Sequence, residues 1–399
     1  MTPGDRASQR AEPEPAPASR ASAGAAPPVD VTAVRDAFSL DWDVAHLNHG
    51  SFGAVPRSVQ DAVARTRAAA ERDYDAFFAD RLFDELAASR TALAAWLGWS
   101  PEGTVFAANA TTALQTAVAH LALQPGDEVV TTSHEYDATN RVLALLAGRG
   151  VTIQIVPVSG LDAPTIVARV LDAVGTRTRA VLLSHVTSPW AEVLPVELAA
   201  AALAGTRTTL LVDGAHGPGL VDTSAVTRHG AWYAATLHKW GYFPRGTGAL
   251  HVPADARDTV RPLVTSWHVG AGTAAERFSW LGTSDVAPLL VTDDVRAVHR
   301  DLEGAGAVQR AALLTDWLRH ELQELPGAEP VPGNAATPLM AAVRLPASDG
   351  AALRRALAAR GIQLWAGQTA EGTVVRASLA PYVSDGDVDR ALGALRDLV

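Results

Sequence analysis

Cysteine is absent from the 399-residue chain. That excludes disulfides, thiolate metal sites and any mechanism needing a cysteine nucleophile or a persulfide carried on the chain itself. No apolar run approaches the roughly 20 residues needed to cross a bilayer, so no membrane span is expected. Positive charge is in deficit: 33 Lys and Arg stand against 43 Asp and Glu, giving a formal net charge of −10 and a pI of about 5.6. Such a molecule repels phosphate backbones, which argues against a nucleic-acid partner. The first 30 residues carry six prolines among many Ala and Ser but no apolar core of the kind a signal peptide needs. Residues 1–30 therefore read as a disordered tail and the protein as cytoplasmic. A convincing Gly-x-Gly-x-x-Gly turn between a strand and a helix is also missing, which argues against a nucleotide-binding dehydrogenase. No internal repeat is visible.

What is present reads as globular, with 48% hydrophobic and 19% charged residues, and the length suggests two domains. From Pro56 to about Leu97 the apolar spacing predicts one long helix or two shorter ones. Beyond it, short apolar runs alternate with helical stretches. Strands are predicted over 104–107, 128–132, 151–158, 179–184, 209–213, 231–236 and 248–252. Helices fit 111–123, 139–147, 163–173 and 195–204. This alternation predicts an α/β fold with a mostly parallel sheet covered on both faces. After about Asp285 the texture changes to longer amphipathic stretches, 286–302 and 307–325, followed by strands near 341–345 and 373–378. The expected division is an N-terminal segment and large domain over 31–285, and a smaller C-terminal α+β domain over 286–399.

In open α/β sheets ligands bind beyond the carboxyl ends of the strands, and four such places hold polar residues of unusual kinds. Asn109-Ala110-Thr111-Thr112 joins a strand to a helix start, where free N–H groups and hydroxyls suit a phosphate. By itself it reads more simply as a plain cap. Asp213, ending Leu211-Val212-Asp213-Gly214-Ala215-His216, is a carboxylate on an apolar strand, and such a group needs a cation or hydrogen-bond donors. A pyridinium nitrogen supplies both, although a helix cap or an arginine partner fits as well. Lys239, in Thr236-Leu237-His238-Lys239-Trp240, sits among apolar neighbours where desolvation lowers an amine's pKa, as a Schiff-base lysine requires. A surface lysine is the plainer alternative. Ser184-His185-Val186-Thr187-Ser188-Pro189 either lines a ligand or makes a turn.

Taken in order, these segments, with His46-Leu47-Asn48-His49-Gly50-Ser51-Phe52-Gly53 and Gly282-Thr283, resemble the class V aminotransferase superfamily. The opening segment and Asp213-Gly214-Ala215-His216 are most similar to its isopenicillin N epimerase-like branch. The resemblance spans about Asp41 to Val399. It implies a fold type I pyridoxal-phosphate enzyme, with a mostly parallel seven-stranded sheet in the large domain. In this resemblance Lys239 matches the lysine that holds pyridoxal 5′-phosphate, and Asp213 the carboxylate that keeps its ring nitrogen protonated. His216 falls where the family contacts the phenolic oxygen. Ala110, Thr111, Thr236 and His238 match phosphate contacts, Tyr136 matches a stacking ring, and Ser188 belongs with the cofactor contacts. Thr283 matches a phosphate ligand from a partner subunit, implying a homodimer with shared active sites. Arg376, in Val374-Val375-Arg376-Ala377-Ser378, matches the arginine that grips a substrate carboxylate, with Asn48 reaching the same group and Trp190 near the substrate.

Trp190 and Leu281 depart from the family, which has a small or polar residue and a glutamine in their places. No metal is implied. The expected substrate is an amino acid or amino-acid conjugate activated at its α-carbon, followed by epimerisation or transamination. β-Elimination from an S-substituted cysteine is the alternative, and a non-catalytic relative the remaining one. The Ala-, Arg- and Gly-rich composition is associated with bacterial natural-product pathways.

Overall fold

The computed structural model describes residues 29–270, 272–331 and 336–399. The tail expected over 1–30 lies, up to residue 28, outside the described residues. Seven strands build the central sheet: β1 Thr104–Ala107, β2 Glu128–Thr132, β3 Thr152–Val156, β4 Thr178–Ser184, β5 Thr209–Gly214, β6 Trp232–Thr236 and β7 Gly248–His251. Their spatial order is β1-β7-β6-β5-β4-β2-β3. Neighbours from β6 through β3 pair in parallel, and only β7 runs against the rest. Leu210, Leu211 and Val212 of β5 are all buried, as are Ala180 to Leu183 of β4. Continuous apolar runs of this kind are what a sheet covered on both faces requires.

Between strands lie the helices Ala110–His120, Asp137–Ala147, Ala163–Asp172 and Val196–Leu203. Their starts follow local chemistry: Asn109 Oδ1 accepts from the Thr112 amide at 2.9 Å, and Asp162 Oδ1 from that of Thr165 at 2.8 Å. Each side-chain oxygen satisfies an amide that the helix leaves free. The N-terminal helical region is two helices, Arg57–Arg72 and Leu82–Leu97. Asp73 breaks the first, and a π-helical turn over Phe77–Arg81 leads into the second.

The C-terminal part carries the helices Thr292–Gly304, Ala307–Gln323, Gly350–Ala359 and Asp385–Leu398 around an antiparallel sheet. Its main strands are β8 Met340–Arg344, β9 Trp365–Thr369 and β10 Gly372–Ser378, with β10 in the middle. Val34, Phe38, Ala45 and Leu47 share one core with Leu318, Val343, Val375 and Leu395. The N-terminal segment, grouped by sequence with the large domain, therefore packs its side chains with the C-terminal elements. A two-residue strand, Ala45–His46, pairs in parallel with Ile362–Gln363, and the Ser378 amide donates to Leu47 O at 2.7 Å. Asn48 is thereby laid beside the end of β10.

Candidate active site

Segments following β1, β2, β4, β5 and β6 meet at the carboxyl edge of the sheet. Asp213 closes β5 in a buried position. Its Oδ2 accepts from Thr139 Oγ1 at 2.9 Å and its Oδ1 from the Ala215 amide at 3.1 Å. Burial raises the pKa of this carboxyl, while Thr139, the Ala215 amide and Lys239 work to lower it.

Lys239 lies beyond β6 and stays partly accessible, as an amine that a cofactor must reach has to be. Its Nζ is 3.1 Å from His216 Nε2. Burial and the charge of Arg376 push the amine down to about 7, against the pull of Asp213. It is also the only lysine in the whole chain. The turn that presents it is held from the N-terminal segment. His49 bridges Lys239 O, 3.1 Å from Nε2, and the Tyr382 hydroxyl, 2.9 Å from Nδ1. Gly53 has φ +68, and a Cβ there would lie 1.9 Å from His238 O, so only glycine lets the segment close on this turn. Tyr242 follows at φ 60, a conformation that costs a non-glycine residue about 1–2 kcal/mol. Its ring packs on His49 with centroids 5.4 Å apart.

Ala110 opens the helix after β1, and its amide donates to Thr236 Oγ1 at 3.1 Å. Thr111 is exposed beside it, and His238 Nδ1 is buried without a partner among the described residues. Gly248 lets this corner form, because a Cβ would meet Asn109 Cα at 2.7 Å. On the opposite side lies Arg376, buried on β10. Its Nη1 donates to Ser188 O at 2.7 Å and to Ser188 Oγ at 3.2 Å. Its Nη2 donates to Asn48 Oδ1 and to Ser51 Oγ, both at 3.0 Å, and the guanidinium lies 5.4 Å from the Trp365 ring centroid. Burial lowers its pKa to about 10, so it remains charged at neutral pH. No carboxylate pairs with it among the described residues.

Of the sequence-derived residues, Ala110 is thus hydrogen-bonded to Thr236, His216 to Lys239, and Arg376 to both Asn48 and Ser188, while Asp213 is held by Thr139 and the Ala215 amide. Tyr136 lies at the start of the helix after β2 and is 45% exposed. Trp190 is buried and stacks on His134, with centroids 4.9 Å apart and planes 22° apart. Thr283 lies exposed in the loop after Trp280, and none of these hydrogen bonds reaches it. Thr139, Trp240 and Ser51 were given no role from sequence. A hydroxyl in the first turn of a helix that follows a sheet strand was the available signal for Thr139.

The donor set fits pyridoxal 5′-phosphate. Asp213 is a buried carboxylate hydrogen-bonded only by neutral groups, where a pyridinium N–H supplies the missing cation. Lys239 offers an amine of depressed pKa and His216 a ring nitrogen beside it. The capped helix start at Ala110, with Thr111 and the unpartnered His238 nitrogen, offers the polar corner a phosphate needs. Fold and site together define a pyridoxal 5′-phosphate-dependent enzyme of fold type I.

The chain belongs to the aminotransferase class-V family, whose description matches residues 53–391. It is 31% identical over 380 residues to isopenicillin N epimerase of Streptomyces clavuligerus, covering 89% of this chain and 95% of that one. To a putative L-cysteine desulfhydrase of Oryza sativa subsp. japonica it is 32% identical over 323 residues, covering 75% and 67%. Among solved structures, the cystine C-S lyase C-DES bound to its product cysteine persulfide gives a TM-score of 0.77 at 22% identity, covering 89% of this chain and 98% of that chain. That likeness shows the fold. No helix among the described residues is long and apolar enough to cross a membrane.

Proposed function

We propose that the enzyme takes an α-amino acid, or a conjugate with a free α-carboxylate, and epimerises it at Cα. The observation that carries this is Arg376, a buried guanidinium bonded only to neutral oxygens. A buried charge without a counter-ion is costly, and a substrate carboxylate is the group that completes it. Asn48 and Ser51 fix the plane of the guanidinium on one side and Ser188 on the other.

When bound, the cofactor withdraws electrons from Cα. Asp213 would hold the ring nitrogen protonated, and Thr139 would hold Asp213. Ala110, Thr111, Thr236 and His238 would receive the phosphate, with Tyr136 over the ring and Ser188 between cofactor and carboxylate. Lys239, its amine lowered to about 7 by burial and the charge of Arg376, would be the base that takes the Cα proton on its own face, and inversion requires that a proton be returned from the opposite face. Trp190, two residues after Ser188 and stacked on His134, would stand near the substrate. The epimerase relative, similar along almost its whole length, supports proton return over bond cleavage.

A second reading is β-elimination from an S-substituted cysteine. The desulfhydrase relative favours it, and the absence of cysteine bars only a persulfide carried on this chain. Incubation of the enzyme with a panel of α-amino acids in deuterated water decides. Epimerisation gives an inverted product carrying one α-deuterium; β-elimination gives a keto acid, ammonia and a free thiol. An α-carboxamide should do neither, and equal turnover of acid and amide would end the proposal.

The active unit is proposed to be a homodimer, with Thr283 reaching the partner's phosphate site. Its exposure supports this, as does Trp267 nearby, 77% exposed and stacked 5.0 Å from Trp280. A cytoplasmic role in bacterial natural-product metabolism belongs to the same proposal and rests on composition.

A further inference from the structure

Trp240 lies directly after Lys239 and is fully buried. Its indole Nε1 donates to His216 Nδ1 at 3.2 Å, while His216 Nε2 is 3.1 Å from Lys239 Nζ. The chemistry of these three groups fixes where the protons are. An indole nitrogen can only donate, so Nδ1 of His216 must accept and carries no proton. Burial, reinforced by the charge of Arg376, holds the His216 pKa well below its ordinary value, so the ring is neutral near pH 7. A neutral imidazole carries one proton, and here it can only be on Nε2. That N–H points at Lys239 Nζ. An ammonium has no lone pair to accept it, whereas a free amine does.

We infer that Trp240 is a positioning residue that locks His216 in its Nε2–H tautomer, so that the ring donates to Lys239 as a free amine and, in the loaded enzyme, to the anionic oxygen that takes its place. Without the indole the ring can move its proton to Nδ1. Nε2 then becomes an acceptor that favours the ammonium form of Lys239, the reverse of what an attacking amine needs. The other titratable groups facing this triad are Asp213, Arg376, His49 and His238; of these only His49 packs on the indole, and Trp240→Phe keeps an aromatic ring against it. Trp240 itself is held in place by the His49 ring, with centroids 4.9 Å apart, and by Gly50, where a Cβ would meet Trp240 Cζ2 at 3.3 Å.

The consequence for the loaded enzyme rests on the reading of Lys239 as the cofactor-bearing amine, but the tautomer does not. Because Lys239 is the sole lysine, [ε-13C]lysine labelling of the full chain gives one side-chain signal, which can be titrated with the cofactor removed. In the same protein, 15N-labelled histidine reports which ring nitrogen is protonated, and the His216 signals are those missing in His216→Gln. The expected pattern is Nε2–H in the wild type, with the Lys239 midpoint raised by about one pH unit or more in Trp240→Phe. In the His216→Gln background, Trp240→Phe should cause no such rise. An Nδ1–H ring in the wild type overturns the inference by itself, even if Trp240→Phe does not fold. So does an unchanged midpoint in a folded Trp240→Phe, or an equal rise in both backgrounds. If Lys239 instead fails to take the cofactor, the loaded protein lacks a visible band while the cofactor-free signals stand.

Discussion

Thr139 donates its hydroxyl to Asp213 Oδ2 at 2.9 Å, from the first turn of the helix after β2 to the end of β5. Burial favours the neutral acid at Asp213, and this bond is one of the few groups opposing that. A hydrogen bond to a charged group contributes about 1.5–3 kcal/mol. Thr139→Val should therefore lower kcat by about tenfold to a hundredfold at neutral pH, with the far-UV spectrum preserved. Thr139→Ser should stay close to wild type. Equal loss in both variants would place the role of Thr139 in packing.

Arg376→Lys should keep the bound cofactor and its colour but lose kcat/KM by about 2–4 kcal/mol, the range for truncating one partner of a buried charge pair. A lysine cannot reproduce the fork that reaches Asn48 and Ser51 through one nitrogen and Ser188 through the other. Steady-state kinetics on an amino acid and its carboxamide check this. An unimpaired variant would remove Arg376 from the substrate site.

Much of this was legible in the sequence because the large sheet is built from local signals. The strand over 104–107 was read residue for residue, and the next six to within two residues at either end, since each is a short apolar run between turn residues. Lys239 and Asp213 stood out as ionisable groups ending such runs. Trp365–Thr369 was missed: Trp-Ala-Gly-Gln-Thr holds a glycine and no apolar run, and it becomes a strand by pairing with β10. The N-terminal segment was grouped with the large domain by its position in the chain, and its pairing with Ile362–Gln363, more than 300 residues away, carries no local signal. Thr139 and Trp240 escaped for a related reason. Their roles depend on which side-chain atoms meet, and spacing along the chain does not carry that.

His134 joins the two parts of the molecule. Its Nδ1 lies 2.8 Å from Glu192 Oε2 and its Nε2 3.3 Å from Glu371 Oε1, in the turn between β9 and β10. Burial works to lower its pKa, but hydrogen bonds and charge from Glu192, then Glu371, outweigh this and raise it. A His pKa raised on folding adds stability that is fully present below the unfolded value of about 6.5 and is lost as pH rises through the folded value. His134→Ala leaves Glu192 buried and unpaired, and should cost about 3 kcal/mol by urea denaturation at pH 6. The gap from wild type should narrow at pH 9. A gap that does not change with pH would mean that the imidazolium is not what holds the two carboxylates.

Mixing Lys239→Ala with Thr283→Ala tests the shared site, provided that each homodimer is inactive alone. Mixed dimers contain one site with both residues intact and should recover up to about a quarter of wild-type activity, as random pairing of subunits gives. No recovery in dimers shown to exchange subunits, or full activity in a strictly monomeric enzyme, would refute the composite site.

The central claim is that Lys239 carries the cofactor, and the chain's composition makes the test unusually clean. With no other ε-amine present, borohydride reduction of the yellow enzyme should fix one pyridoxyl phosphate per chain, located by peptide mapping on Lys239. Lys239→Ala should retain none after reduction and dialysis. A wild-type mass unchanged by reduction, or a pyridoxyl group still fixed to Lys239→Ala, would contradict the account.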